Sequence, residues 1–411
     1  MNEPKLRFKA DDGSDYPELT VAKLDDLCEK IGDGLHGTPI YSQTGNYYFI
    51  NGNNLENGKI IVSSDTPKVN DSVFEKNNKE LNDSTILMSI NGTIGKVAYY
   101  NNEKVMLGKS VAYFKVNYKC IKEYCYQLIQ TANVQCQFQK GLTGSTIKNL
   151  GLNTIKNTNV KVSCLPEQQK IAEFLSTIDT VIEKQKETVS AWEERKKGVM
   201  QKLFSQEVRF KADDGSDFPE WEEKKISECT KFVKDGTHGT HKNVSNGHPL
   251  LSAKDIFDNI VHIPNDSRLI SDEDYNKIFS KYDLQDGDVL ITIVGTLGRT
   301  ALVTDTCKHV AFQRSVGIMR PDKSIVDSNY LKAVCDVAHF QNELEIKKNK
   351  GAQAGVYLGV LSSIEISVPC LEEQQKIADC LSSLDEVIEK QKATLAAWEA
   401  LKKGLLQQMF V

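Results

Sequence analysis

CLPEQQKIAEFLSTIDTVIEKQKETVSAWEERKKGVMQKLF fills residues 164–204, and CLEEQQKIADCLSSLDEVIEKQKATLAAWEALKKGLLQQMF fills residues 370–410. Well over half of the aligned positions are identical and no gap is needed. In the first copy Ile171, Leu175, Ile178, Ile182, Gln185, Val189, Trp192, Lys196, Val199 and Leu203 recur at alternate steps of four and three. Ile377, Leu381, Leu384, Ile388, Gln391, Leu395, Trp398, Lys402, Leu405 and Met409 repeat the register. Such a spacing is the seam of a helix that packs along another helix. No proline interrupts either run after Pro166, so each reads as a helix of roughly 40 residues, about 60 Å long. A single apolar seam must be buried, and the natural partner is its twin in an antiparallel coiled coil. Gln185 and Gln391 then fall near the middle of the pair, where a buried polar layer sets register; their alternative is to turn toward solvent. Lys196 and Lys402 are expected to snorkel at the helix ends.

The repeat extends outward from the helices. RFKADDGSDYPE at residues 7–18 returns as RFKADDGSDFPE at residues 209–220, directly after the first helix. Its DGSD turn chemistry and following proline suit a tight, exposed elbow from a helix end into a globular segment. The start of the chain and the end of the second helix are therefore expected to lie close together. Between the repeats, residues 21–163 and 224–369 share only islands: IGDGLHGT with VKDGTHGT, ILMSINGTIGKVA with VLITIVGTLGRTA, and LGKSVAYF with FQRSVGIM. Order and offsets agree, so these are two copies of one fold with diverged surfaces. Both mix β-rich runs with shorter helical patches. The expected class is α+β: two mixed domains in a pseudo-two-fold arrangement, separated by the paired helices. The expected segments are an elbow (1–20), a first domain (21–163), a long helix (164–206), an elbow repeat (207–223), a second domain (224–369) and a second long helix (370–411).

The chain has 411 residues, more than one core comfortably serves. No apolar run approaches the length of a membrane span, and MNEPKLRFK has no signal-peptide apolar stretch, so a cytoplasmic protein is expected. Ten cysteines without a CxxC pair suggest reduced, mostly buried thiols and no metal. The net charge of -5 is unevenly spread: residues 20–163 carry 16 Lys and Arg against 12 Asp and Glu, residues 224–369 carry 18 against 18, and the remainder 17 against 26. The net acidic excess lies outside the two domains, which leaves room for a basic face on each.

Candidate functional residues cluster in the islands. Asp33-Gly-Leu-His36 and Asp235-Gly-Thr-His238, with Thr38 and Thr240, read as turns that put polar side chains on a surface; no nucleophile motif or third metal ligand accompanies the histidines. The GTIGK and GTLGR runs, ending at Lys96 and Arg299, do not satisfy the P-loop pattern. They read as hairpins whose glycines take positive φ with the Lys or Arg exposed, to which a functional reading adds contacts from that cation to backbone phosphates. Lys109 and Arg314 lie in the third island pair. Lys140, Thr143, Ser145, Thr146 and Lys148, and Lys347, Lys348, Lys350 and Gln353, belong to polar glycine-rich loops before each long helix, where they could reach phosphates or base edges or simply be solvated.

Taken together, the twice-written EQQKIA helix, the DGxHGT island and the GTxG[KR] island resemble the specificity subunit of type I restriction-modification enzymes over essentially the whole chain. The resemblance implies two target-recognition domains that each read half of a bipartite, asymmetric site on double-stranded DNA, with the helices as a ruler for the unread spacer. It also implies docking of methyltransferase subunits, two per chain, which in turn carry the restriction and translocase subunits. The chain holds no Asn/Asp-Pro-Pro-Tyr/Phe tetrapeptide and no Walker A loop, so it is expected to be a non-catalytic reader without a cofactor. The alternative is a coiled-coil scaffold whose paired domains bind protein.

Overall fold

The computed structural model describes residues 3–145, 147–349 and 355–410. The chain divides into two compact units, Met1–Glu187 with Lys392–Val411, and Thr188–Gln391. The long helices run Leu165–Phe204 and Leu371–Met409, so each unit holds the head of one helix and the tail of the other.

In the first unit a four-stranded antiparallel sheet has the order Cys28–Asp33, Val111–Val116, Thr85–Ser89, Val97–Tyr99. The two central strands are buried at every position. Alternation along a strand sends neighbours to opposite faces, so two cores form. Ile86, Met88, Ala112 and Phe114 join the core shared with the short helices and the long ones, whereas Leu87, Val111 and Tyr113 join a second core with Ile50, Leu55 and Leu107. The second unit repeats this plan with Thr230–Asp235, Val316–Pro321, Val289–Thr292 and Thr300–Leu302. Val289, Ile291 and Met319 face the helices and Leu290, Val316 and Ile318 face the other core. The mixed α+β class expected from the islands is the one observed.

The helix seam is buried as its spacing requires. In the first unit Ile171, Leu175, Ile178 and Ile182 share a core with Leu395, Trp398, Leu405 and Met409. Asp179 meets Lys402 at 2.5 Å and Lys186 meets Glu399 at 3.0 Å, so one helix ascends as the other descends. In the second unit Val199 and Leu203 pack with Ile377, Leu381 and Leu384, and Lys196 meets Asp385 at 2.5 Å. Here the expectation for the lysines is corrected. Lys196 and Lys402 are not fraying ends: their side chains are only 14% and 15% exposed, and each neutralises an aspartate of the opposing helix. Asp179 also accepts a 2.7 Å hydrogen bond from Gln127 Nε2, which ties the domain to the helix pair. Burial, with Asp179 adding its charge, pushes the neighbouring Tyr126 phenol up to about 12. Gln185 and Gln391 are half-buried and lie in different units.

The elbow is more than an exposed connection. Arg7 donates to both oxygens of Glu167, at 3.1 and 2.6 Å, and Arg209 does the same to Glu373, at 3.1 and 2.8 Å. Lys170 and Lys376 reach back to the Lys9 and Lys211 carbonyls, each at 2.8 Å, and to Asp11 and Asp213, each at 2.6 Å. Each elbow string is thus docked on the EQQK turn of a long helix, and that is why both are written twice. The next residue of that turn faces the domain. Gln168 accepts from Ile121 N and donates to Ser163 O, and Gln374 accepts from Asp327 N and donates to Pro369 O. The expected closeness of chain start and second-helix end is also seen: Leu6 N donates to Gln408 O at 3.0 Å, matching Val208 N to Lys202 O at 3.2 Å in the continuous copy.

Candidate nucleic-acid interface

Strand direction decides where the islands meet. In an antiparallel sheet the end of one strand lies beside the start of its neighbour, and the pairs Asp33 with Ala112, Ser89 with Val111 and Met88 with Val97 put four loops at one sheet end. These are the DGLHGT loop after Asp33, the NGTIGK loop between Ser89 and Val97, the Gly108-Lys109-Ser110 turn before Val111, and the hairpin of Leu142–Thr143 with Asn149–Leu150. The hairpin belongs there because Leu150 N donates to Ile90 O and Gly92 N to Lys148 O. The second unit matches, with Asp235 beside Gly317, Thr292 beside Val316, Ile291 beside Thr300, and Val356 N donating to Ile293 O.

The glycines of the motifs have a steric cause. A Cβ on Gly34 would overlap the Leu107 and Gly108 carbonyl oxygens, and one on Gly236 would overlap that of Phe312, because Leu35 and Thr237 pair in parallel bridges with Gly108 and Gln313. Backbone oxygens cannot rotate away. Gly236→Ala is therefore expected to destabilise its unit by about 2–3 kcal/mol, whereas Gly359→Ala, in a helix with open space at its Cβ, should be neutral or slightly stabilising. Native-state hydrogen exchange of peptides from residues 230–235 and 316–321 in the two variants checks this; equal protection would contradict it. In the GTxG loops Gly92, Gly95, Gly295 and Gly298 have φ of 73°, 89°, 83° and 79°, so the hairpin reading of those glycines holds. The second glycine of each also accommodates a helix side chain, Gln135 or Gln341.

The motif aspartate orients the histidine. Asp33 Oδ2 lies 2.6 Å from His36 Nε2, and Asp235 Oδ2 lies 2.6 Å from His238 Nε2. The imidazoles are 71% and 64% exposed, so each is a fixed polar group presented outward. Thr38, Thr240, Lys96, Lys109, Lys140, Thr143 and Ser145 are exposed as well. Arg314 is exposed, and Arg299 is exposed but bonds the Ile256 carbonyl at 3.3 Å. Lys348 is engaged by Glu345 and is not a free cation. Thr146, Lys350 and Gln353 lie outside the described residues.

One set of positioning residues escaped the sequence reading. Ser110 Oγ accepts from Gly52 N at 2.9 Å and Ser315 Oγ accepts from Ala253 N at 3.0 Å, so the Lys109 and Arg314 turns are pinned in the same way. Their signal was present: serine is the one residue that GKS at 108–110 and QRS at 313–315 share.

The loop segments themselves are poor in acid, although flanking carboxylates reach them: Asp33, Asp235, Asp274 and Glu345 engage His36, His238, His241 and Lys348. Residues 34–41, 90–96, 108–110 and 141–150 contain no Asp or Glu, and neither do 236–242, 293–299, 313–315 and 348–357, in a chain with 56 acidic residues. Among the described residues Lys96, Lys109 and Arg314 have no ion-pair partner. No group of three or more His, Cys, Asp or Glu among the described residues could hold a metal ion, and no described helix is long and apolar enough to cross a membrane.

The comparisons agree with this architecture. The type I restriction modification DNA specificity domain matches twice, over residues 17–190 and 219–397. The chain is 25% identical over 297 residues to the type I restriction enzyme MjaVIII specificity subunit of Methanocaldococcus jannaschii, which covers 68% of each protein. It is 24% identical to the putative MjaX specificity subunit of the same organism, over 76% of this chain and 73% of that one. The crystal structure of the type I restriction-modification S subunit from M. genitalium superposes with a TM-score of 0.55 at 15% identity, over 99% of both chains, and so shares the fold. With two matches of one domain model laid over two units of one plan, the chain belongs to the type I restriction-modification DNA specificity family.

Proposed function

We propose that this specificity subunit reads a bipartite DNA target, each domain taking one half-site with the loop end of its sheet. The observation that carries this reading is the loop cluster formed twice at equivalent sheet ends, whose segments beyond the motif aspartates contain no Asp or Glu and otherwise diverge. A polyanion selects against carboxylates over its whole footprint, while the cations and amides that remain can contact phosphates and base edges. Phosphate contacts supply register and much of the affinity; base-edge contacts, at about 1–3 kcal/mol for each good bidentate pair, supply the choice of sequence. The paired helices set the unread spacer, and their shared outer faces dock methyltransferase subunits, which bring the chemistry and the restriction subunits. That division of labour accounts for near-identical helices beside divergent domains: both helices meet the same partner, and each domain meets a different half-site.

The test is the salt dependence of binding to a motif-bearing duplex by the chain together with its methyltransferase partner. Lys96→Gln, Lys109→Gln and Lys148→Gln combined should lower the slope of log affinity against log salt by roughly 2–3, because each phosphate contact adds about 0.9. An unchanged slope would remove this loop end from the interface.

A further inference from the structure

The two loop ends provide an internal comparison, since the same backbone frame carries different side chains. Gly108 N donates to Ile50 O at 2.8 Å and Gln313 N donates to Leu251 O at 2.8 Å; Val111 N bonds Gly108 O and Val316 N bonds Gln313 O, both at 3.0 Å. Ser110 and Ser315 close the two turns by the hydrogen bonds already described. At the apex stands Lys109 in the first copy and Arg314 in the second. Both turns open onto the start of an inner strand, Val111–Val116 or Val316–Pro321, with the DGxHGT loop on one side and the GTxG loop on the other. The Arg314 backbone N also donates to Thr237 O at 3.0 Å, within a parallel bridge that has its counterpart between Leu35 and Gly108 in the first copy.

Both apex cations are exposed and without a partner among the described residues. Three other arginines are spent inside the fold, Arg7 on Glu167, Arg209 on Glu373, and Arg320 on Asp288 and Asp283, while Arg195, Arg268 and Arg299 are exposed but do not stand on this turn. An unspent guanidinium on a pinned turn is preorganised for a planar acceptor pair. Lysine is a point charge that serves a phosphate in any sequence, whereas the arginine fork matches the adjacent O6 and N7 acceptors of guanine in the major groove. A Lys-to-Arg difference at an otherwise superposable central position is thus a place where sequence information can differ between the domains.

We infer that Arg314 reads a guanine edge in the half-site taken by residues 224–369, and that Lys109 does not read one in the other half-site. This rests on the DNA-reading function proposed above. The experiment uses the full chain with its methyltransferase partner. The methylated motif is determined by sequencing for the wild type and for Arg314→Lys, and the half-site of the second domain is assigned by exchanging that domain. Binding is then measured on duplexes in which each guanine of that half-site is replaced in turn by 7-deazaguanine, which lacks the N7 acceptor.

For the wild type, one guanine position should show a roughly 10- to 100-fold preference and weakened binding on 7-deaza substitution. Arg314→Lys should lose most of both at that position and leave the other half-site unchanged. Three results overturn the inference: a half-site without guanine on either strand, a variant that keeps the full guanine preference, or a uniform loss of affinity with a salt slope lower by about one, which marks a phosphate contact. Absence of any sequence preference in the wild-type complex would instead strike the DNA-reading function itself. Unchanged thermal unfolding of Arg314→Lys separates these outcomes from misfolding.

Discussion

Arg7→Ala is expected to destabilise its unit by about 3 kcal/mol, and Arg209→Ala, the same change in the other copy, by only about 1–2. Both arginines grip a carboxylate withdrawn from water: Glu167 is 1% exposed and Glu373 is fully buried. Removing one partner of such a pair leaves an uncompensated charge, which typically costs about 3–5 kcal/mol; the partly exposed guanidinium of Arg7 puts this case at the lower end. Among the described residues the Glu167 side chain accepts only from Arg7. Glu373 has a further donor, Trp221 Nε1 at 3.0 Å, and a hydrogen bond to a charged group contributes about 1.5–3 kcal/mol. Losing the Arg209 contact with the Trp221 ring, 5.9 Å away, works the other way but is a smaller effect, about 0.5–1 kcal/mol. Because the chain has two units, a single unfolding midpoint is not the right readout. Native-state hydrogen exchange of peptides around residues 165–180 and 371–386 resolves them. A larger loss at the second elbow than at the first would contradict the assignment. Replacing both members of the first pair, Arg7→Met with Glu167→Met, should recover most of the loss, since two apolar side chains leave no buried charge.

The parts of the fold that could be read from sequence are those whose physical cause is periodic or duplicated. The four-three spacing of Ile171, Leu175, Ile178 and Ile182 has one structural meaning, and its return at Ile377 made the pairing of the helices readable. The GTxG glycines were legible as turn residues because positive φ selects for glycine locally. What could not be read depends on contacts between distant residues. Nothing near Arg7 announces Glu167, and nothing near Lys196 announces Asp385, so the elbow was expected to be exposed and the lysines to fray. The same holds at the loop end. His36, Lys96 and Lys109 were each noticed as polar residues in separate islands, yet only the antiparallel register of the central sheet brings their loops together. Ser110 and Ser315 went unremarked because a serine that accepts from a backbone NH 58 or 62 residues away looks, in sequence, like any surface serine.

Exchanging residues 21–163 for the corresponding segment of another family member is expected to rewrite one half of the DNA target and leave the other half intact. The physical ground is that each loop cluster proposed to read DNA is built from residues of its own unit. The four loops of the first copy, the sheet that presents them and the cores beneath lie in residues 8–162 together with the helix segments they pack on. The His36, Lys96 and Lys109 loops are pinned by hydrogen bonds with Asp33, Ser89 and Gly52, all residues of the same unit. Changing the loops of one copy therefore leaves the geometry of Arg314 and His238 as it was. Base contacts at about 1–3 kcal/mol each give each half-site enough discrimination for the change to be read as a new motif. The direct measurement is sequencing of methylated bases in a genome exposed to the chain and its methyltransferase partner, before and after the exchange. One new half-site beside one retained half-site, across an unchanged spacer, is the expected result. Two altered half-sites, or a motif indifferent to the exchange, would contradict the claim that two independent readers share this chain.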